Sequence, residues 1–370
     1  MRLPRPWLRE LARALVIGAA LLVIGWLAVY RLRAFPYPLD VVAAWTGART
    51  VAEATLRAAA ITWAIVGVAL YALAGWLRRR APDLTRGEAI AGAACVLWCA
   101  AYLALLSLGP VGLFQPLVLR AGLAAIVLAT LRFRRQPPVP ARSGRGAELA
   151  VLAITISLVP LALMQIGSPV SPFMDVLGYI APVQKIVTFR WYEPFANDAA
   201  GLWAPTRQVV GYDAAFSALA LLADLRGHLA ISSMIVPFAA LQVLAVFLLG
   251  RAVQGPLAGG MASLFMLQTF LWRRTPDIRS SGLAFALVAI GIAFLLTCRR
   301  GGGMRAALGG LALGMAVTVS PLIGGTGMQV ASLAIVIGWL DLRRPFLTPV
   351  LALAAGSLLA LPQVVVGVDL

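Results

Sequence analysis

The sequence predicts an all-α protein that crosses a membrane about eleven times, and three observations carry that prediction. Hydrophobic residues make up 61% of the chain and charged residues only 12%, with a mean hydropathy of +0.90, more apolar surface than one water-facing core can bury. The apolar residues come in runs of roughly 17–25, the length of a helix crossing hydrocarbon rather than of an alternating barrel strand. Arginines gather at alternate ends of those runs. Hydrocarbon offers no partner to a backbone N–H or C=O, so each run must pair its own backbone, as a helix does.

Taken in order, Arg2, Arg5, Arg9 and Arg13 precede or open an apolar run over residues 11–30. It is longer than a signal-peptide core and no small-residue cleavage site follows, so it reads as a retained first span. A loop with Asp40 and Glu53 leads to a second span, 58–77, closed by Arg78, Arg79 and Arg80. The third covers 89–108 and the fourth 111–131, with Gly109-Pro110 as the hairpin between them. Arg120 falls inside the fourth and must snorkel, pair or face a polar cavity. Residues 132–146, rich in arginine, proline and glycine, read as a linker. The expected units are a four-span bundle at 1–135, a cytoplasmic linker at 136–146 and a second bundle at 147–370. Gly144 and Gly146 form no dinucleotide fingerprint, since no strand precedes them and the third glycine is missing.

The fifth span is 149–166, and the sixth to eleventh are 229–249, 257–271, 281–296, 306–319, 329–340 and 346–366. The ninth and tenth are short and interrupted by Ser320-Pro321 and Gly324-Gly325, which suggests a re-entrant pair. Gly255-x-x-x-Gly259 and Gly310-x-x-x-Gly314 read as close helix contacts. Cys95 and Cys99, at i and i+4, read as small packing residues, as does Cys298.

A net charge of +17 raises nucleic acid as a partner, but the arginines form no stripe with aromatics between them, so lipid headgroups are the expected counterions. With the N-terminus in the cytoplasm, the cytoplasmic segments hold 18 basic and 5 acidic residues against 11 and 9 outside, which favours that orientation. The expected location is a bacterial-type inner membrane, with residues 168–228 as a long external loop.

That loop carries the chain's one lysine, Lys185, and one histidine, His228. Phe173, Val176, Leu177, Ile180, Val183 and Val187 share one side of a helix and Asp175 and Tyr179 another, describing a helix on the membrane surface that Pro182 bends. An irregular stretch over 193–201 follows, then a second amphipathic helix over 212–225. The chain lacks P-loop, HExxH, GxSxG and CxxC motifs, which removes ATPases, zinc proteases and ordinary serine hydrolases. What remains is a carboxylate at headgroup depth among cations and aromatics. Asp175 is placed to act as a general base, or to cap its helix. Lys185, Arg190 and Arg207 are placed to hold a phosphate. Trp191, Tyr192, Trp203 and Tyr212 suit sugar stacking or an interfacial belt, and Glu193 and Asp198 a substrate contact or a turn. His228 reads as interfacial.

An outward loop directly after a span, opening with an acid on a surface helix and closing with a second amphipathic helix, resembles the first external loop of the GT-C superfamily of membrane glycosyltransferases. Asp175-Val-Leu-Gly-Tyr179 is similar to a D-E-x-x-Y pattern of some members, with Val176 in place of the second acid. Spans five to eleven match in number the seven of the shared GT-C module. The resemblance implies a polyprenyl-linked sugar donor, transfer to an acceptor on the non-cytoplasmic face, and Asp175 as catalytic base. Tyr179, Lys185, Arg190, Trp191, Glu193, Asp198 and Arg207 would contact substrate, as would Asp277 and Arg279 from a second external loop. No metal ligands are assigned; a divalent ion would find Asp175 without the second acid. The alternatives are a transporter or flippase for a lipid-linked substrate, suggested by the broken helices and Arg120, and a non-enzymatic assembly subunit.

Overall fold

A computed structural model describes residues 41–132, 175–190, 210–273, 279–298, 302–342 and 346–368, which form twelve helices and no strand. The helices are α1 (Val41–Arg80), α2 (Arg86–Leu108), α3 (Pro116–Arg132), α4 (Asp175–Phe189), α5 (Val210–Ala223), α6 (Gly227–Ser233), α7 (Ile235–Gln254), α8 (Pro256–Arg273), α9 (Ser280–Leu296), α10 (Gly303–Val319), α11 (Pro321–Leu342) and α12 (Leu347–Val368). Their ends follow local chemistry. Thr85 and Glu88 form a capping box that opens α2. Proline begins α3, α8 and α11, where a missing N–H costs nothing. Gly255, at φ 95°, separates α7 from α8 in a conformation that favours glycine.

Among the described residues, four helices are long and apolar enough to cross a membrane: Arg57–Arg80 within α1, α2, Pro237–Gln254 within α7, and Pro321–Leu340 within α11. A fifth is added if α5 and α6, bent by 101° at their junction, count as one broken span. The chain is therefore a multi-pass helical membrane protein. The predicted first and fifth spans, and most of the predicted linker, lie outside the described residues. Helices α3, α9 and α10 have 17 residues each, about 25 Å of rise against roughly 30 Å of hydrocarbon.

Several expected boundaries shift. Val41–Arg80 is one continuous helix, so Glu53 lies in helix rather than loop. The fourth span begins at Pro116 and not at 111, because Leu113 N–H bonds Leu108 O at 2.9 Å and Gly112, at φ 69°, prolongs the turn. The sixth span breaks at Met234. The chain does break at Ser320, but α11 then runs unbroken through Gly324-Gly325. Gly324 is used for packing: a Cβ there would strike the backbone of Ala316 and Val317. Helix α4 continues through Pro182.

The bundle has two distinct ends. At one, Arg79 donates to Thr130 O (2.9 Å), Arg251 to Thr85 Oγ1 (3.1 Å) and Arg305 to Glu88 Oε2 (3.2 Å), beside Arg78 and Arg80. At the other, reached along α1 after roughly 25 Å, Trp63 donates to Ser233 O (2.6 Å) and Arg120 to Leu222 O (3.1 Å). Arg120 thus meets the requirement for a partner by serving a carbonyl in the last turn of α5. Helices on both sides of the predicted linker share one apolar cluster, which includes Leu77, Tyr102, Phe216, Leu287 and Met315.

Helices α10 and α12 cross closely. A Cβ at Gly310 would strike the Ala352 carbonyl, and one at Gly314 would lie 2.5 Å from Gly356 O, so this GxxxG pair makes the expected contact. The other pair does so only in part. Gly259 abuts the Phe247 carbonyl, but its counterpart across the turn is Gly250, while Gly255 has open space and serves as the hinge.

Candidate functional site

Helix α4 begins at Asp175, and Tyr179, Lys185 and the following residue Arg190 come from the same element. Its buried side is Val183 and Ile186, set against α5 and α6, so this helix rests on protein as well as facing outward. Gln184 fixes the register: its Oε1 accepts the Gly227 N–H at 2.8 Å. Gly227 admits this approach because a Cβ there would stand 2.9 Å from Val183 Cγ1 and 3.1 Å from the Gln184 nitrogen. The chain leaves α4 at Arg190, whose φ of 56° is left-handed and whose N–H bonds Ile186 O at 2.8 Å. Lys185 is half-buried and Arg190 exposed.

Trp191, Glu193, Asp198, Arg207 and Asp277 lie outside the described residues, as do the side chains of Asp175 and Tyr179. Arg279 is half-buried at the residue preceding α9. Helix α9 ends near Arg305, where Arg305 Nη1 donates to Thr297 O at 3.4 Å, so Arg279 belongs to the opposite end, with α4, α5 and α6. His228 is exposed in α6.

The second helix of the loop departs from expectation. Helix α5 is buried on nearly every side and is not amphipathic: α1, α2, α3, α4, α6 and α10 all pack on it. Its small residues permit this. Gly211 meets Thr318, Trp98 Nε1 donates to Gly211 O at 2.8 Å, and Gln363 Oε1 accepts the Val210 N–H at 2.9 Å. Tyr212, predicted to stack on a sugar or in a belt, is instead fully buried against Phe216, with ring centroids 4.5 Å apart. Trp98 and Phe238 complete that aromatic cluster.

Sequence reasoning missed Asp213 and Ser217. They are one turn apart on α5, both buried, and neither Asp213 Oδ1 nor Ser217 Oγ has a hydrogen-bond partner. The available signal was one acid inside an otherwise apolar helix, GYDAAFSALALLA. Among the described residues no group of His, Cys, Asp and Glu is arranged to hold a metal ion.

A cavity of about 820 Å³ lies away from α4, between α1, α2, α3, α5 and α7. Its walls are apolar, and Thr85, Arg86 and Arg251 close its basic end. No protein family matches the chain, and no curated protein or solved structure is significantly similar to it.

Proposed function

We propose that the chain is a membrane glycosyltransferase of the GT-C kind, moving a sugar from a polyprenyl-linked donor to an acceptor on the face opposite the basic end. The observation that supports this reading best is the seating of α4: Val183, Ile186 and the Gln184–Gly227 hydrogen bond hold the helix that opens at Asp175 against α5 and α6. A catalytic carboxylate needs such a fixed base, since a displacement of about 1 Å costs on the order of a hundredfold in rate. In this proposal Asp175 removes the acceptor hydroxyl's proton while Lys185 and Arg190 balance the donor phosphate. It keeps eleven spans, the N-terminus in the cytoplasm and a bacterial-type inner membrane.

The test uses the full chain in vesicles containing a radiolabelled polyprenyl-phosphate sugar and scores label transferred to acceptor. Asp175→Asn is expected to lower transfer by at least about a hundredfold with donor binding kept. Transfer at the unsubstituted rate rejects the assignment.

A second reading, a carrier for a lipid-linked substrate, is favoured by the 101° bend between α5 and α6 and by the unpartnered oxygens of Asp213 and Ser217 inside the bundle. In that case Asp213→Asn abolishes movement across the bilayer, while Asp175→Asn leaves it intact.

A further inference from the structure

The 820 Å³ cavity has a lengthwise polarity that the proposed transferase does not use. Leu70, Leu97, Leu123 and Leu241 are among its apolar walls, and Ile90 and Val118 on its lining are exposed at the bundle surface, so it opens sideways toward lipid. Its volume falls within the roughly 300–1,000 Å³ usual for ligand sites. The polar groups sit at the basic end alone. Arg86 is the first residue of α2 and Arg251 lies in the last turn of α7, its guanidinium oriented by the 3.1 Å bond to Thr85 Oγ1. Two acids lie near this end: Glu88 accepts from Arg305 and from the Thr85 N–H, and Asp83 lies 3.0 Å from Arg305. An apolar trench with two cations at one mouth, open to the bilayer, is complementary to an amphiphile with a negative head.

We propose that this cleft binds an anionic phospholipid, its phosphate between Arg86 and Arg251 and an acyl chain lying along α2 and α7. The site is at the opposite end from α4 and is independent of the transferase reading.

Trp98 lines the cleft and reports occupancy. The full chain is reconstituted in phosphatidylcholine vesicles containing phosphatidylglycerol or phosphatidylcholine with brominated chains, and Trp98 quenching is taken as the difference from Trp98→Phe. Half-maximal quenching is expected at about a tenfold lower fraction of the anionic lipid. Arg86→Gln with Arg251→Gln should erase that preference. Gly122 also lines the cleft and has nothing within 4 Å of a Cβ, so Gly122→Phe should fill the trench and remove Trp98 quenching by both lipids without disturbing the fold. If the arginine variant fails to fold, Gly122→Phe decides, with retained circular dichroism as its control. Equal quenching by both lipids, a preference that survives loss of both arginines, or unchanged Trp98 quenching in Gly122→Phe overturns the proposal. Absence of quenching by either lipid does so too, since it marks a cleft already filled by the chain's own apolar segments or by a second copy.

Discussion

Gly356→Ala at the α10–α12 crossing tests the packing most directly, because the structure sets two opposing terms against each other. Replacing a helical glycine by alanine gains about 1 kcal/mol of helix propensity. At Gly356 the new Cβ would strike Gly310 O and lie 3.0 Å from Gly310 C and 3.4 Å from Gly314 N. These are backbone atoms in a second helix, so no side chain can rotate away and the helices must separate. Overpacking of this kind costs about 1–3 kcal/mol, and association in a bilayer depends on the close contact being lost. The net expectation is a loss of up to about 2 kcal/mol. Gly325→Ala in α11 is the matched control: nothing lies within 4 Å of its Cβ, so the propensity gain stands alone. The assay is equilibrium unfolding in mixed micelles followed by tryptophan emission. Adding Gly310→Ala to Gly356→Ala should cost less than the sum, since helices already parted once admit the second methyl. A Gly356→Ala chain as stable as Gly325→Ala, or a strictly additive double variant, refutes the reasoning.

Other outcomes follow from the basic end and from α5. Arg305→Met leaves Glu88, 5% exposed, without its cation and is expected to cost about 3–5 kcal/mol, whereas Asp83→Asn, at a 62% exposed side chain, should cost under about 1 kcal/mol; micelle unfolding of the two compares them. Trp98→Phe removes the indole N–H that Gly211 O accepts in addition to its place in the α5 ladder, an expected loss of about 0.5–1.5 kcal/mol in the same assay. Gln363→Leu strands the Val210 N–H with an expected loss of about 1–3 kcal/mol, checked by faster hydrogen exchange at Val210. Burial pushes the Cys298 thiol up, outweighing the lowering by Arg305, so a soluble maleimide at pH 8 should label it slowly when folded and rapidly once unfolded.

The sequence reads well wherever local chemistry acts alone. Arg78, Arg79 and Arg80 mark the end of α1, and the Gly310/Gly314 spacing marks a true crossing, because these depend on a residue and its immediate neighbours. Reading failed where one pattern has two uses. Gly324-Gly325 suggests a break, yet a glycine also lets a neighbouring backbone approach, and Val317 takes that option. Residues 212–225 read as an amphipathic helix, yet α5 is buried on nearly every side. Hydrophobic periodicity separates greasy from polar faces, but cannot tell lipid from protein as the greasy neighbour, and here protein surrounds both. For the site, α4 and its residues were legible as a helix, while its seat on Gly227 depends on a contact 43 residues away that no local pattern encodes.

The enclosure of α5 has a consequence for biosynthesis. Its walls come from α1, α2 and α3, made before it, and from α10, which a ribosome completes about a hundred residues later, ~5–20 s at ordinary elongation rates. Throughout that interval the nascent helix, with its unpaired Asp213 and Ser217 oxygens, has no finished berth. A stop codon or cleavage ahead of α10 would leave the half-built product exposed to membrane quality control, however sound its earlier helices.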